Sequence, residues 1–389
     1  MQLSCVCQET LFFSPFAIML DMRKLLFGAL LIIVFLPTLA FAQTMPKQTF
    51  EKARVVSVNH DGSKDFNGRK NPYQDLTLQI LEGSEKDKQI HLEYGGNTVI
   101  SENQKVSTGE TVILTSIIQD NKTTYAITDR YRLPSILFIT LVFFGLVVLL
   151  TGKKGIGSIA GLIISLLIIS VYIVPQILNG GDPLMISIIG SLVIMLVTLY
   201  LAHGFNSRTT ISVVATFVSL ILTGILAILS VHIAKLSGLG SEDAYNLLFN
   251  TGKTINLQGL LLGGIIIGAL GVLDDTTTTQ STTIAELADA NPNYSMRELF
   301  RRGMVIGREH IASLVNTLVL AYAGAAMGIF IFIIITLQTN AQPRWVIFNS
   351  EIIAEEIVRT LAGSLGLVLA VPITTLLAAF FAKNEIKIK

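Results

Sequence analysis

Long apolar runs separated by short polar segments dominate the sequence after residue 133. Seven such runs occur, and several reach 18 residues or more without a charged side chain. A bilayer core about 30 Å thick is crossed by roughly 20 helical residues, so each run is long enough to span it. We therefore predict seven transmembrane helices, over residues 134–151, 156–178, 184–202, 210–234, 257–273, 311–336 and 357–382.

Residues 43–133 form the only long hydrophilic segment, and their pattern is that of short strands. Alternating or β-branched runs are separated by turn residues such as Asn59-His60-Asp61-Gly62 and Gly95-Gly96. This spacing predicts a small all-β domain, an OB-like or SH3-like barrel. Its histidines, His60 and His91, do not form a metal signature. The strands are predicted over 53–58, 75–81, 89–94, 111–117 and 124–128.

The N-terminus has the pattern of a secretory signal that begins at a second methionine, Met22. A basic pair is followed by an apolar core over 25–36 and by Ala40-Phe41-Ala42, a cleavage site of small residues. We interpret residues 1–21 as an upstream extension and 22–42 as a signal peptide or an uncleaved anchor. Both cysteines, Cys5 and Cys7, precede Met22, so the mature chain is expected to have none.

Charge sets the expected orientation and excludes one class of partner. Apolar residues make up 51% of the chain and charged residues 14%, with a net charge of +1, which gives no indication of nucleic-acid binding. Basic residues concentrate in alternate connections between the runs, which predicts that residues 43–133 are extracytoplasmic and the C-terminus cytoplasmic. The connections and tail predicted to be cytoplasmic contain Lys153, Lys154, Arg208, Arg297, Arg301, Arg302, Arg308, Lys383, Lys387 and Lys389.

The candidate functional site is the segment from 258 to 317. The fifth apolar run ends in Asp274-Asp275 and is followed by the polar tract from 276 to 283, which includes Thr278 and Thr279. Ionisable groups at bilayer depth are costly and usually face a bundle interior or a water-filled cavity. We predict that these groups bind a proton or a cation. Partner residues are expected on the sixth helix, namely Arg308, His310 and Asn316.

Two structures are compatible with this segment. If the helix continues past Asp275, then Thr279, Thr283 and Glu286 follow it on one face as a hydrophilic stripe. Alternatively, the helix stops at Leu273 and the aspartates lie in a solvated cytoplasmic connection over 274–310, where one of them caps a helix.

Small residues indicate where helices pack. Gly264 and Gly268 are spaced four apart in the fifth run, and Gly324 and Gly328 have the same spacing in the sixth. Such pairs let helix backbones approach closely in lipid. We therefore expect the fifth and sixth helices to pack against each other through these glycines. Pro175 and Pro372 are expected to kink their helices.

No sequence signature indicates an enzyme. The chain has no His-Glu-x-x-His motif, no phosphate-binding glycine loop and no defensible Ser-His pair. Adjacent aspartates project about 100° apart on one helix, whereas an intramembrane aspartyl protease brings its carboxylates from separate helices. We expect neither catalysis, nor a metal, nor an organic cofactor.

Three motifs resemble the YibE/F family of bacterial integral membrane proteins. They are the segment from Gly268 to Gln280, the Gly-Arg-Glu-His-Ile run at 307–311 and the Pro372-containing run at 363–375. The resemblance covers most of 134–385 and implies a multi-pass protein of the bacterial plasma membrane. A partial similarity over 268–382 to the membrane half of SecF and to RND permeases implies an aspartate that couples to protons.

Two functions remain open. One is a secondary transporter or export component that uses an aspartate at 274 or 275 for ion coupling. The other is a non-transporting scaffold whose external β domain binds a protein partner while the helices anchor it in the lipid bilayer. The sequence predicts neither the transported substrate nor the oligomeric state.

Overall fold

The computed structural model describes residues 49–386 except 67–68, 84, 97–98, 120–121, 251–254 and 340–341. The predicted extension 1–21, the predicted signal sequence 22–42 and both cysteines lie outside the described residues. Two compact units are present. One contains the β-strands and most of the first helix, and the other contains the helices from residue 148 onward.

The first unit is a single curled antiparallel sheet of five strands. All five predicted strands are present: β1 (Thr49–Phe66), β2 (Arg69–Ile80), β3 (Gln89–Tyr94), β4 (Thr111–Gln119) and β5 (Lys122–Arg130). The strand order is β3-β2-β1-β4-β5, so the long strand β1 pairs with β4 through its first residues and with β2 further along. Register shifts between 55 and 57 and between 58 and 60 bend β1, as bulges do.

The concave side of the sheet encloses a small apolar core of alternating residues from β1, β2 and β4. Leu76, Leu78 and Leu114 are fully buried there. A buried glutamine closes one edge of this core. Gln74 Nε2 donates to Val106 O at 3.1 Å, and Val106 N donates to Gln74 Oε1 at 2.8 Å. The side chain therefore replaces a strand partner for the loop at 106.

We predict that Gln74→Ala destabilises the β domain by about 2 kcal/mol or more, because it leaves the buried Val106 amide and carbonyl unpaired. The measurement is limited proteolysis of the full-length protein at increasing urea concentration. Gln89→Ala is the matched control, since Gln89 is exposed on β3. Equal protection in the two variants would contradict the role of Gln74.

Helices form the second unit, apart from most of the first helix. In chain order the helices are α1 (Leu133–Thr151), α2 (Lys153–Leu178), α3 (Pro183–His203), α4 (Ser207–Ile233), α5 (Glu242–Asn250), α6 (Leu257–Ala290), α7 (Met296–Ala325), α8 (Met327–Gln338), α9 (Arg344–Phe348) and α10 (Glu351–Ile386). The predicted number of seven apolar helices is confirmed, because α1, α2, α3, α4, α6, α7 and α10 are long and apolar enough to cross a membrane.

Two of these helices differ from the predicted runs. Helix α6 continues to Ala290 instead of ending near 273, so its 34 residues extend about 51 Å at 1.5 Å per residue. The run predicted over 311–336 is divided between α7 and α8, which meet at Ala326. In α2, the backbone widens into a π-helical turn at Ile168–Ile173, just before Pro175. The turn accommodates a proline that cannot donate a backbone hydrogen bond.

Helix α6 is the centre of the bundle, where it packs against α3, α4 and α10. Ile265, Ile266 and Leu273 are almost completely buried along it. The apolar half of α6 therefore packs as a core helix.

The glycines predicted to join the fifth and sixth helices are exposed in the structure. A Cβ built at Gly264, Gly324 or Gly328 would meet no neighbouring atom within 4 Å. A Cβ at Gly268 would lie 3.8 Å from Oη of Tyr322 on α7, which is an ordinary van der Waals distance. None of the four glycines therefore brings the helix backbones into close contact.

A different pair with the same spacing makes the close contact. Gly303 and Gly307 are buried on α7, where they face α6 and α10. A Cβ at Gly307 would come within 2.5 Å of Val371 Cγ1, and one at Gly303 would meet the side chain of Ile284. The backbone of α7 therefore approaches its neighbours closely at this end of the helix.

We predict that Gly307→Leu destabilises the bundle by about 1–3 kcal/mol or more through overpacking against Val371. The measurement is thermal unfolding of the purified protein in mild detergent. Gly324→Leu on the same helix is the matched control, because it enters open space. A larger loss of thermal stability in the Gly324 variant would indicate instead that α7 packs through Gly324.

Candidate functional site

The polar tract of α6 forms a buried seam of side-chain hydroxyl groups against α4. Ser212 Oγ and Ser281 Oγ lie 2.6 Å apart, and so do Thr216 Oγ1 and Thr277 Oγ1. All four residues are buried. Hydrogen bonds between helices stabilise membrane bundles by roughly 0.6–2 kcal/mol each. Of the two structures compatible with the sequence, the tract therefore adopts the continuous helix, and it forms a helix–helix interface.

Gln280 extends this seam to two further helices. Its Nε2 donates to Thr375 Oγ1 at 2.7 Å on α10 and to Gly303 O at 2.9 Å on α7. Thr375 in turn donates to Val371 O at 2.6 Å, which satisfies a carbonyl near Pro372. The polar half of α6 is thereby joined to α4, α7 and α10.

Asp274 lies beside this seam and faces α3. Thr198 Oγ1 donates to Asp274 Oδ2 at 3.5 Å, which is a long hydrogen bond. Its other oxygen, Oδ1, is buried and has no hydrogen-bond partner among the described residues. A buried acceptor without a partner is costly. Asp274 is therefore not held in place by a strong structural interaction.

Asp274 lines a groove of about 550 Å³ between α2, α3 and α6. All three helices contribute both polar and apolar side chains to the groove. Its polar lining is Ser158, Ser165, Thr198, His203, Asp274, Asp275, Thr278 and Thr279. A volume of this size holds several waters or a small solute.

The other predicted residues on α6 differ in exposure, although Asp275, Thr278 and Thr279 all line the groove. Asp275 and Thr279 are exposed, and Glu286 further along is exposed too, so the predicted hydrophilic stripe exists on this face. Thr278 lines the groove, and its Oγ1 is buried without a partner among the described residues. Glu286 accepts a hydrogen bond from Arg208 Nη1 at 2.7 Å.

The residues predicted to pair with the aspartates from α7 are placed elsewhere. Arg308 and Asn316 are exposed. His310 is half-buried, and its Nε2 is buried with no partner in the part of the chain that the structure describes. Among the described side chains, no hydrogen bond or ion pair joins these three residues to Asp274 or Asp275. The reason is that α7 contacts the Gln280 side of α6, whereas Asp274 faces α3.

Three hydroxyl groups of the site, on Thr198, Ser212 and Thr216, are not among the residues predicted from the sequence. Ser212 and Thr216 belong to a series with Ser219 and Thr223 that recurs every three or four residues, which is the signal of one buried polar face of a helix. Thr198 lies in an apolar run without such a series. Gly303 and Gly307 also had a usable signal in their four-residue spacing, immediately before Arg308.

The groove has no arrangement that would hold a metal through several protein ligands. No group of three or more His, Cys, Asp or Glu side chains comes together in the parts of the chain that the structure describes. A second buried carboxylate, Glu355 on α10, accepts the Gly240 amide at 2.8 Å and so holds a loop in place. Asp274 differs from Glu355 because Asp274 Oδ1 is buried without a donor among the described residues.

We predict that Thr279→Cys and Thr282→Cys react with a membrane-impermeant thiol reagent, because both residues are exposed and line cavities. Thr276→Cys and Thr277→Cys are the controls, since both positions are fully buried. We expect about tenfold slower labelling of these controls if the groove contains water. The chain would start at Met22 to remove the natural cysteines. A Thr279→Cys variant as unreactive as the controls would mean that lipid fills the groove.

Comparison with known proteins supplies the family. A family described as YibE/F-like protein matches residues 139–384. No curated protein and no solved structure matches the chain significantly. The matched region contains the groove, the seam and all but the first few residues of the seven apolar helices. Because the match covers more than half of the chain, this multi-pass integral membrane protein belongs to the YibE/F-like family.

Proposed function

We propose that the protein is an ion-coupled secondary transporter or export component in which Asp274 is the coupling carboxylate. The observation that carries this proposal is the unpartnered Oδ1 of Asp274 at the wall of a 550 Å³ groove. A carboxylate inside a membrane bundle usually marks an ion or substrate pathway. Asp274 therefore binds a proton or a cation that enters through the groove.

The position of Asp274 along α6 supports this role. It lies 17 residues after Leu257, which corresponds to about 25 Å of helix. A bilayer core is about 30 Å thick, so Asp274 falls near one boundary of the hydrocarbon region. An ion bound there is close to water on one side and separated from the other side by the apolar half of the bundle.

We propose that this side is cytoplasmic and that the β domain is extracytoplasmic. The basic residues counted in the sequence support this orientation. Several of them gather at the same end of the bundle as the groove: Lys154 and Arg208 line one cavity, and Lys383 donates to Pro292 O at 3.2 Å. The C-terminus is then cytoplasmic as well.

A second candidate function is a scaffold in which the β domain recruits a protein partner. The strand order β3-β2-β1-β4-β5 supports an OB-type barrel that is open between β3 and β5. A polar cluster lies on the β1–β3 face, where Asn59 Nδ2 donates to Thr77 Oγ1 at 3.0 Å and Thr77 Oγ1 lies 3.2 Å from His91 Nδ1. In an OB-type barrel the face of strands 2 and 3 is a binding surface.

The test compares two adjacent aspartates. We expect Asp274→Asn to reduce complementation of a deletion strain to background, because an amide cannot carry the charge that binds the ion. Asp275→Asn is the comparison: Asp275 also lines the groove, but it is exposed and bonds to no described residue of α3, so this variant should retain most of the activity. Immunoblots of the membrane fraction must show equal amounts of both variants.

Deleting the β domain distinguishes the two functions. The scaffold predicts that both asparagine variants remain active and that removal of residues 44–132 abolishes function. The transport function predicts that, of the two asparagine variants, Asp274→Asn is inactive and Asp275→Asn is active. Full activity of the Asp274 variant would reject ion coupling at this residue.

A further inference from the structure

We propose that a second cavity, adjacent to the groove, binds the phosphate group of an anionic ligand. The cavity is about 510 Å³ and is formed by the starts of α2 and α4, the end of α3 and the polar part of α6. All ten lining residues are polar, three are basic and none is acidic. They are Lys154, His203, Asn206, Ser207, Arg208, Thr209, Ser212, Thr278, Ser281 and Thr282.

The basic side chains differ in how far they are neutralised. Arg208 already donates to Glu286 at 2.7 Å and to Asp289 at 2.6 Å. Lys154, in contrast, is exposed at the rim and forms no ion pair or hydrogen bond with any residue that the structure describes. Its charge is therefore available to a ligand in the cavity.

The floor of the cavity consists of buried side chains that carry hydroxyl groups. Thr209, Ser212 and Ser281 are at most 4% exposed, and the Ser212–Ser281 hydrogen bond fixes two of them. The Oγ1 of Thr278 is also buried there and has no partner among the described residues. A hydroxyl group in this state needs a water or a ligand oxygen to satisfy it.

The first turn of α4 adds donors and a favourable field. Asn206 caps this helix by accepting a hydrogen bond from the Thr209 amide at 2.9 Å. The earlier amides of the turn have no intrahelical acceptor, as at the start of any helix. The amino-terminal end of a helix carries partial positive charge and favours anions. This contribution supplements the lysine and the hydroxyl groups and does not define the site by itself.

These features select a phosphate oxyanion. Donors converge from four helices, which suits a tetrahedral group with acceptor oxygens in several directions. The volume exceeds that of one phosphate, so the ligand is larger than the free ion or is the headgroup of an anionic lipid. Both sources present the same chemistry to Lys154 and to the hydroxyl groups.

This site does not depend on ion coupling at Asp274. The cavity and the groove share only His203 and Thr278, and no aspartate lines the cavity. Anion binding is therefore expected to survive Asp274→Asn. A failure of one proposal leaves the other standing.

The test measures saturable binding of radiolabelled orthophosphate to the full-length protein in phosphatidylcholine nanodiscs at constant ionic strength. Loss of a charged hydrogen-bond donor should weaken binding about tenfold or more in Lys154→Gln. Lys153→Gln is the matched control, because Lys153 is adjacent and exposed but does not line the cavity. Phosphate should also slow thiol labelling of Thr282→Cys, which tests the site in a protein that keeps its lysine.

A second arm identifies a lipid headgroup as the source. In nanodiscs that contain phosphatidylglycerol, native mass spectrometry should show retained lipid in the wild type and in Lys153→Gln, with loss in Lys154→Gln. Either orthophosphate binding or lipid retention that depends on Lys154 supports the proposal. Equal binding by the two lysine variants would indicate an adventitious ion only and overturn it. So would the absence of both orthophosphate binding and lipid retention.

Discussion

The hydroxyl seam between α4, α6 and α10 is the constraint on which the bundle depends. In lipid, a polar side chain that faces the hydrocarbon has no partner, whereas one that faces another helix can be satisfied. Thr277 and Ser281 bond to α4, and Gln280 bonds to α7 and α10. These bonds fix the rotation of α6 and keep its polar half helical and buried.

The rotation of α6 then determines what each aspartate contacts. At 100° per residue, Asp274 lies about 60° from Thr277 on one side, and Gln280 lies about 60° on the other. Asp275 lies about 160° away, opposite the seam. The α3 side therefore receives Asp274, the α7 side receives Gln280, and Asp275 is exposed. Asp274 and Asp275 therefore have different environments, because the hydrogen bonds of Thr277 and Ser281 to α4 fix which face of α6 turns toward that helix.

The sequence predicted the elements better than their partners. Hydrophobic length gives seven apolar helices and alternation gives five strands, since both depend on local pattern. The pattern leaves the continuation of α6 open, because the apolar run ends at Leu273 and threonine has weak helix propensity. Glycine pairs with the same spacing occur at 264 and 268, at 303 and 307 and at 324 and 328, yet of these three only the pair at 303 and 307 comes close to the neighbouring helices. Which repeat is used depends on the neighbouring helix and cannot be read from spacing alone.

The two cavities place opposite charges on either side of a narrow boundary. Thr278 lies one helical turn beyond Asp274, and it and His203 line both spaces. If an anion binds beside Lys154 and an ion binds at Asp274, the two charges interact more strongly than they would in water, because the dielectric constant inside the bundle is low. Binding at one site then changes affinity at the other by the same factor in both directions. The seam that fixes α6 would thereby also fix the distance over which the two ligands are coupled.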